Sequence, residues 1–565
     1  MSPEMTFLVL AAVGLPLVWL LLVPVAGRWL RFGLPLLPLP ALVLALVPGD
    51  WQWALPWLLL DSLWLLDDLR RVFLVLTALL WCSAGLFAIG YLDGKHLKRF
   101  VVCWCLTLCG NLGLVIAGDA GSFYSFFALM TFASYGLVVH DGSVEALHAG
   151  RVYMVMAVLG EMLLLAGLIL AVAVTGSGQL ADLPEAIAKA DHAHLITGLL
   201  LTGFGVKAGL PMLHFWLPLA HPVAPTPASA VLSGAMIKAG LLGWVLTLPL
   251  GHEGFRDWGD ALVIAGAVAS LGGALIGVCQ TQTKAVLAYS SISQMGLMLL
   301  LVGAALATPE RVDLILPVIA LYALHHGLAK GALFLSSTVR LPRQRVSRGL
   351  FWLLIALPGF ALAGLPWTSG ALAKLAMKEV LKADKLAMVT APYLAPLMTA
   401  GAVATLLLVL RFLWLQRLKD ETGRNPLALT LGWSLATLGS LLLFWWLPWQ
   451  AEGLVASPRW LPESYQYWPL LWPILVALVI GGLAARLIPR APRIPPGDAL
   501  VLLELGGRWL WSWLERPVFR GPRAPASLNR LWRHLPGWSA SAEQGLRAGG
   551  ILALTVLILL MAALL

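Results

Sequence analysis

Along the chain, apolar runs of about 20 residues, the length that crosses a bilayer as a helix, follow one another from residue 6 to residue 488. Roughly fifteen such runs are counted there, with a short last one at 550–565. The stretch 51–66 is apolar but short and Trp-rich, which leaves the count open by about one or two spans. The pattern predicts an all-α polytopic membrane protein. Arg28 and Arg31, not a small-residue cleavage site, follow the first run, so it is expected to remain as a span.

Composition agrees: 60% of residues are hydrophobic and 12% charged, outside the range of a soluble domain. The net charge of +10 is distributed among loops by side, which argues against a nucleic-acid face. Loops with Arg28 and Arg31, with Lys95, Lys98 and Arg99, with Arg340 to Arg348, and with Arg417, Lys419 and Arg424 alternate with acidic or mixed ones. By the positive-inside rule the basic set is cytoplasmic and the N-terminus outside, in a membrane expected to be a bacterial inner membrane. The five cysteines fall inside apolar runs, and the C-x-C-x3-C spacing of Cys103, Cys105 and Cys109 fits no common zinc or iron–sulfur pattern. No cofactor is expected in this chain, and no nucleotide fingerprint or catalytic triad appears.

The informative residues are the ionisable groups inside the runs: Glu161, Lys207, Lys238, Lys284, His326, Lys330 and Lys374. A charge at mid-bilayer costs about 2.5–3.5 kcal/mol even on a lenient scale, so several on different helices require a shared polar axis. Lys284 and Lys374 lie near span ends, where a lysine can equally snorkel to the interface. His326 and Lys330 are four apart and stack on one helix face. A desolvated amine releases its proton more readily and holds it when a carboxylate approaches, so a Glu–Lys pair of changing separation can move protons without a cofactor. Two runs also carry helix breakers at depth, around Pro211 and around Pro366. In lipid a broken helix is tolerated only against protein or a water-filled cavity. The two breaks, each with a lysine nearby in opposite order, point to an inverted repeat of about five spans per unit.

The stretch GFGVKAGLPMLHFWLPLAHPVAPTPASAVLSGAMIKAGLLGW (203–244), followed in order by TKAVLAYSSISQMG, HHGLAKGALFL and LAGLPWTSGALAK, resembles the signature of the antiporter-like subunits of respiratory complex I. Mrp cation/proton antiporters and membrane-bound hydrogenases share it. The resemblance implies a core of about fourteen helices, built from two inverted five-helix repeats with broken helices, plus one or two C-terminal spans. The organisation expected is N-terminal spans at 1–66, repeat units at 67–217 and 218–385, C-terminal spans at 386–488, an interfacial Arg/Trp-rich segment at 489–547 and a last span at 548–565.

It further implies Lys207, Lys238, His326, Lys330 and Lys374 as proton-pathway residues, with His214 and His221 as secondary candidates; from the residues themselves Glu161 is added to the pathway, Lys284 and His325 to the secondary candidates, and Lys238 is expected to be a gate between half-channels. One departure stands out. Where the family reads Trp-Glu-Leu-Met on the fifth helix, this chain has Ala128, and the nearest carboxylate is Glu161 one helix later. The function implied is proton or Na+/H+ translocation as the membrane subunit of a larger complex, with redox or Mrp-type partner subunits. The alternative is the energising subunit of an inorganic-carbon uptake system, paired with a zinc-containing, carbonic-anhydrase-like protein. A solute carrier fits less well, since the spans hold titratable groups in place of a solute-shaped polar site.

Overall fold

The computed structural model describes residues 2–56, 62–419, 421–450, 468–487, 494–497 and 500. The chain forms two compact units, residues 1–53 with 63–497 and residues 54–62 with 498–565, and the helical bundle belongs to the first. Apart from residues 494–497 and 500, the expected interfacial segment at 489–547 and last span at 548–565 lie outside the described residues.

The bundle begins with α1 (Pro3–Leu20) and the short α2 (Leu39–Leu46), followed by α3 (Asp68–Tyr91), α4 (Leu97–Ile116), α5 (Ala120–Val138) and α6 (Val144–Thr175). After α7 (Leu183–Lys189) come α8 (Ala193–Ala208), α9 (Trp216–Val223), α10 (Thr226–Val231), α11 (Ile237–Thr247), α12 (Arg256–Ala267) and α13 (Gly273–Val278). The remainder are α14 (Thr283–Ala307), α15 (Val312–Ser336), α16 (Arg345–Ala363), α17 (Ser369–Val380), α18 (Ala391–Lys419), α19 (Leu427–Gln450) and α20 (Trp468–Leu487). Among the described residues 12 helices are long and apolar enough to cross a membrane, with Ala193–Ala208 and Leu427–Leu442 as shorter apolar helices. The Trp-rich stretch at 51–66 is not a span. Trp51–Leu55 (β1) and Ser62–Leu66 (β2) pair as a two-stranded sheet.

Local chemistry sets the helix starts. Asp67, Asp119, Ser143 and Thr368 each accept a hydrogen bond from a main-chain N–H in the first turn that follows. Asp119 does more: its second carboxylate oxygen accepts from Leu63 N at 2.9 Å, tying β2 to the start of α5. Burial ranks the helices from centre to rim. The apolar window of α14 is 100% buried and that of α10 with α11 94%, against 22% for α1 and for α20. Exposed apolar residues such as Phe7, Leu10, Leu475 and Val479 on the rim helices meet lipid, so their exposure carries no solvation penalty there.

Two irregularities of the backbone position the polar groups. At Gly209-Leu210-Pro211-Met212 and Gly364-Leu365-Pro366-Trp367, α8 and α16 stop at a glycine with φ of 80° and 93°, and the residue after proline also has positive φ, 68° and 60°. Proline cannot supply the next helical N–H, and glycine reaches this left-handed conformation without the Cβ clash, so Gly-Leu-Pro makes the same corner twice. In addition, a π turn at Leu232–Met236 joins α10 to α11, and another at Val268–Gly272 joins α12 to α13. Such turns shift hydrogen bonding to i→i+5 inside an otherwise regular helix.

Candidate functional site

Lys207 sits in the last turn of α8, two residues before the first corner, and is buried. Its Nζ donates to the Tyr153 hydroxyl at 3.2 Å and lies 5.5 Å from the Tyr153 ring centre and 5.7 Å from that of Trp216, a cation–π cage. Tyr153 is itself held by Ser134 Oγ at 2.6 Å and donates to Thr131 O at 2.8 Å, so α5, α6 and α9 together fix the amine. Glu161 on α6 lines the same cavity as Lys207, with Thr131, Tyr153 and Trp216. The cavity of about 10 Å3 admits roughly one water. Glu161 is 4% exposed, and neither carboxylate oxygen makes a hydrogen bond of normal geometry among the described residues, the Thr131 hydroxyl being the polar side chain set beside it. A buried carboxylate in that condition is costly and uncommon, which marks it as more than packing. Ala128, where the family carries its glutamate, lies one turn before Thr131 on the same face of α5.

Lys238 follows the first π turn and donates back into it, to Ser233 O at 2.9 Å. Ser233 Oγ pairs with Ser291 Oγ at 2.6 Å, and Ser291 Oγ donates to Leu287 O at 3.1 Å. Lys330 Nζ donates to that same carbonyl at 2.7 Å. The buried Ser233–Ser291 hydroxyl pair thus lies between the two lysines, meeting Lys330 at the shared Leu287 oxygen, while Lys238 holds the main-chain oxygen of Ser233 and not its hydroxyl. His326 and Lys330 share a face of α15 without a hydrogen bond between them. Lys330 turns towards α14, and neither ring nitrogen of His326 has a partner among the described residues.

Lys374 on α17 crosses the second corner to donate to Ala363 O, the last residue of α16, at 2.9 Å. It shares a small cavity with Tyr322, whose hydroxyl donates to Gln294 Oε1 at 3.0 Å, while Gln294 Nε2 donates to Thr405 Oγ1 at 2.7 Å. His325 lies beside this group, with Nδ1 2.7 Å from Ser369 Oγ, which donates to Ser440 O at 2.6 Å. Lys284 points inward, donating to Ala224 O at the end of α9 at 2.7 Å, so neither it nor Lys374 snorkels to the interface. His221 is fully buried, stacks on Phe334 with ring centres 4.6 Å apart, and has no partner for either nitrogen among the described residues. His214 stands apart, half-buried in the turn between α8 and α9 with Nδ1 3.4 Å from Leu210 O. Pro211 and Pro366 each occupy the third position of a corner.

A common rule emerges for the amines. Lys238, Lys284, Lys330 and Lys374 each rest on a main-chain carbonyl, and for three of them a π turn, a helix end or a corner supplies it. Irregular helix leaves carbonyls without an i+4 partner, and a buried ammonium is a donor that can use them. Sequence reasoning finds the lysines but misses Tyr153, Ser134, Trp216, Ser233, Gln294 and Tyr322. Tyr153 had a usable signal: it precedes Glu161 by about two helical turns on one face. Among the described residues no group of three or more His, Cys, Asp or Glu could hold a metal ion.

Residues 117–399 match the family described as NADH:quinone oxidoreductase/Mrp antiporter, TM. Hydrogenase-4 component B of Escherichia coli is 29% identical over 317 residues, covering 54% of this chain and 46% of that protein. A putative antiporter subunit of Staphylococcus saprophyticus is 32% identical over 350 residues, covering 57% and 44%. In each case the chain spans less than half the length of the relative it matches. The solved Mrp complex of a Dietzia species contains a chain that superposes with a TM-score of 0.74 at 22% identity, covering 96% of this chain and 63% of that one, a likeness of fold. With half its length inside the family's conserved region and the broken-helix bundle in place, this chain is a multi-pass integral membrane protein that belongs to the NADH:quinone oxidoreductase/Mrp antiporter family.

Proposed function

We propose that this chain conducts protons as the membrane subunit of a multi-subunit complex, along Glu161–Lys207, then Lys238–Lys330 with His326, then Lys374. The observation that carries the reading is the seating of buried lysines on main-chain carbonyls, with the Ser233–Ser291 hydroxyl pair between two of them and a buried carboxylate, Glu161, lining the cavity of Lys207. Among the described residues Lys207 is the amine that donates to a hydroxyl, that of Tyr153, and onward transfer between the carbonyl-held amines runs through water. A hard cation needs several oxygen ligands at once, and here the available carbonyls already carry amines, which favours H+ over Na+.

Glu161 takes the part that the family gives to the fifth-helix glutamate. It approaches Lys207 from α6, across a cavity that Ala128's face of α5 also lines through Thr131. The relatives include a hydrogenase component and an antiporter subunit, and subunits of those kinds are the partners proposed here. We place the N-terminus outside, on the strength of the loop charges.

The test is proton flux into liposomes containing the purified native complex, followed with a pH-sensitive dye. Flux without sodium, reduced at least about tenfold by Lys238→Ala, is the expected result. Flux that requires sodium, or that survives Lys238→Ala unchanged, overturns the reading. Proteins that co-purify under mild detergent identify the complex, a zinc-containing partner being the mark of inorganic-carbon uptake.

A further inference from the structure

A cavity of about 960 Å3 opens between α13, α16, α18 and α20, away from every residue of the proposed pathway. Its walls come from the end of α13 (Val278, Cys279), the last third of α18 and the second half of α20, with Trp352 from the first half of α16. These segments approach one side of the bundle. The loop before α16 and the loop after α18 pair with each other there, through Leu341 N to Glu421 O at 2.9 Å and Arg340 N to Asn425 Oδ1 at 3.0 Å. That is the side on which Arg340, Arg343, Arg345, Arg348 and Arg424 gather.

The cavity has two characters. Leucines of α18 and α20 and four small residues, Gly481, Gly482, Ala484 and Ala485, make an apolar trough. A Cβ on Gly482 would have no neighbour within 4 Å, so the trough is open there and kept so by the missing side chain. At its polar end stand Arg411 and Arg417, flanked by Trp352 and Trp414, and no carboxylate is among the described residues lining it. Arg411 is held in place, donating from Nε at 3.1 Å and from Nη2 at 2.8 Å to Gln280 O, and among the described residues Nη1 has no hydrogen-bond partner.

We infer that this cavity binds one anionic phospholipid, its phosphate on Arg411 and Arg417 and an acyl chain in the Gly481–Ala485 trough. The volume lies at the upper end of what small-molecule sites offer, about 300–1,000 Å3, and its lining sets two guanidiniums beside an apolar wall. Basic pockets between membrane helices suit anionic headgroups, and tryptophans favour that depth. A free phosphate would leave the apolar trough unfilled, and a zwitterionic lipid would bring a cation towards two guanidiniums.

The experiment is native mass spectrometry of the full chain in its complex, released in mild detergent and then exposed to vesicles of phosphatidylglycerol or of phosphatidylcholine. One retained anionic phospholipid per chain is expected, with phosphatidylglycerol exchanging into the site and phosphatidylcholine failing to. Arg411→Gln with Arg417→Gln lowers occupancy at least tenfold. Gly482→Leu, which fills the trough and leaves both arginines in place, lowers it similarly with the thermal unfolding midpoint of the delipidated protein unchanged. Equal retention of phosphatidylcholine, unchanged lipid occupancy in both variants, displacement of the lipid by inorganic phosphate alone, or crosslinks that seat residues 489–547 in the trough would each overturn the inference.

Discussion

A lysine amine inside a bilayer has few acceptable neighbours, and this chain offers two kinds. Four of the lysines use backbone oxygen, while Lys207 uses a phenol, two aromatic faces and a nearby carboxylate. Glu161→Gln is therefore expected to cut proton flux by at least about tenfold, since an amide cannot stabilise the lysine's charge across the cavity. The sharper check is relocation: Ala128→Glu added to Glu161→Gln returns the carboxylate to the fifth-helix position, and dye-monitored flux should recover. If it stays at the Glu161→Gln level, the two positions are not equivalent. Ser291→Ala breaks the hydroxyl pair between Lys238 and Lys330 and should slow flux by roughly twofold to tenfold with the fold intact, a loss of about 0.5–1.5 kcal/mol for one hydrogen bond. The lysines were legible because a charge within an apolar run is conspicuous. Their partners were not, because a carbonyl belongs to every residue and only the fold decides which are free.

At the scale of elements, the corners and π turns aim the chemistry. Gly364 has φ of 93°, and a Cβ there would meet Lys374 Cδ at 2.9 Å. Gly364→Ala should therefore both destabilise the protein, by roughly 1–2 kcal/mol from the left-handed backbone, and push Lys374 off Ala363 O, read as a lower melting temperature together with reduced flux. Met212 makes the complementary case. It holds φ of 68° with an exposed side chain, so Met212→Gly should relieve strain and raise the melting temperature slightly, since glycine adopts that conformation freely. Both corners could be read from Gly-Leu-Pro within apolar runs. The π turns could not, because their residues, Leu232–Met236 and Val268–Gly272, are the mix of apolar residues, glycine and a single serine found in any buried membrane helix.

For the whole molecule, hydropathy placed most of the spans because span length is a property of the bilayer and composition alone reveals it. It was equivocal at 51–66, where Trp and Leu on both faces of a hairpin read as a short apolar run. Outside the spans, stability is also coupled to pH. His140, in the loop between α5 and α6, is lowered to about 4 by burial first, then by the charges of Arg99 and His96, with Asp141 and Asp93 opposing. The unfolded chain binds that proton near 6.5 and the folded chain only near 4, so between these values the unfolded state holds more protons and stability falls as pH falls. The melting temperature should drop on acidification from pH 6.5 to 4, and His140→Phe should flatten that slope. An unchanged slope assigns the acid sensitivity to other groups.

The first corner also bears on how the chain is made. Helix α8, from Ala193 to Ala208, is too short to cross a bilayer, and its continuation α9 packs against α6 and α14. Lipid does not solvate the open carbonyls of a corner, and α14 begins some 75 residues after α8 leaves the ribosome's exit. The newborn α8–α9 segment therefore has no finished home when it reaches the insertion machinery. It must wait, shielded by earlier helices or by the translocon, until α14 is synthesised and closes over it.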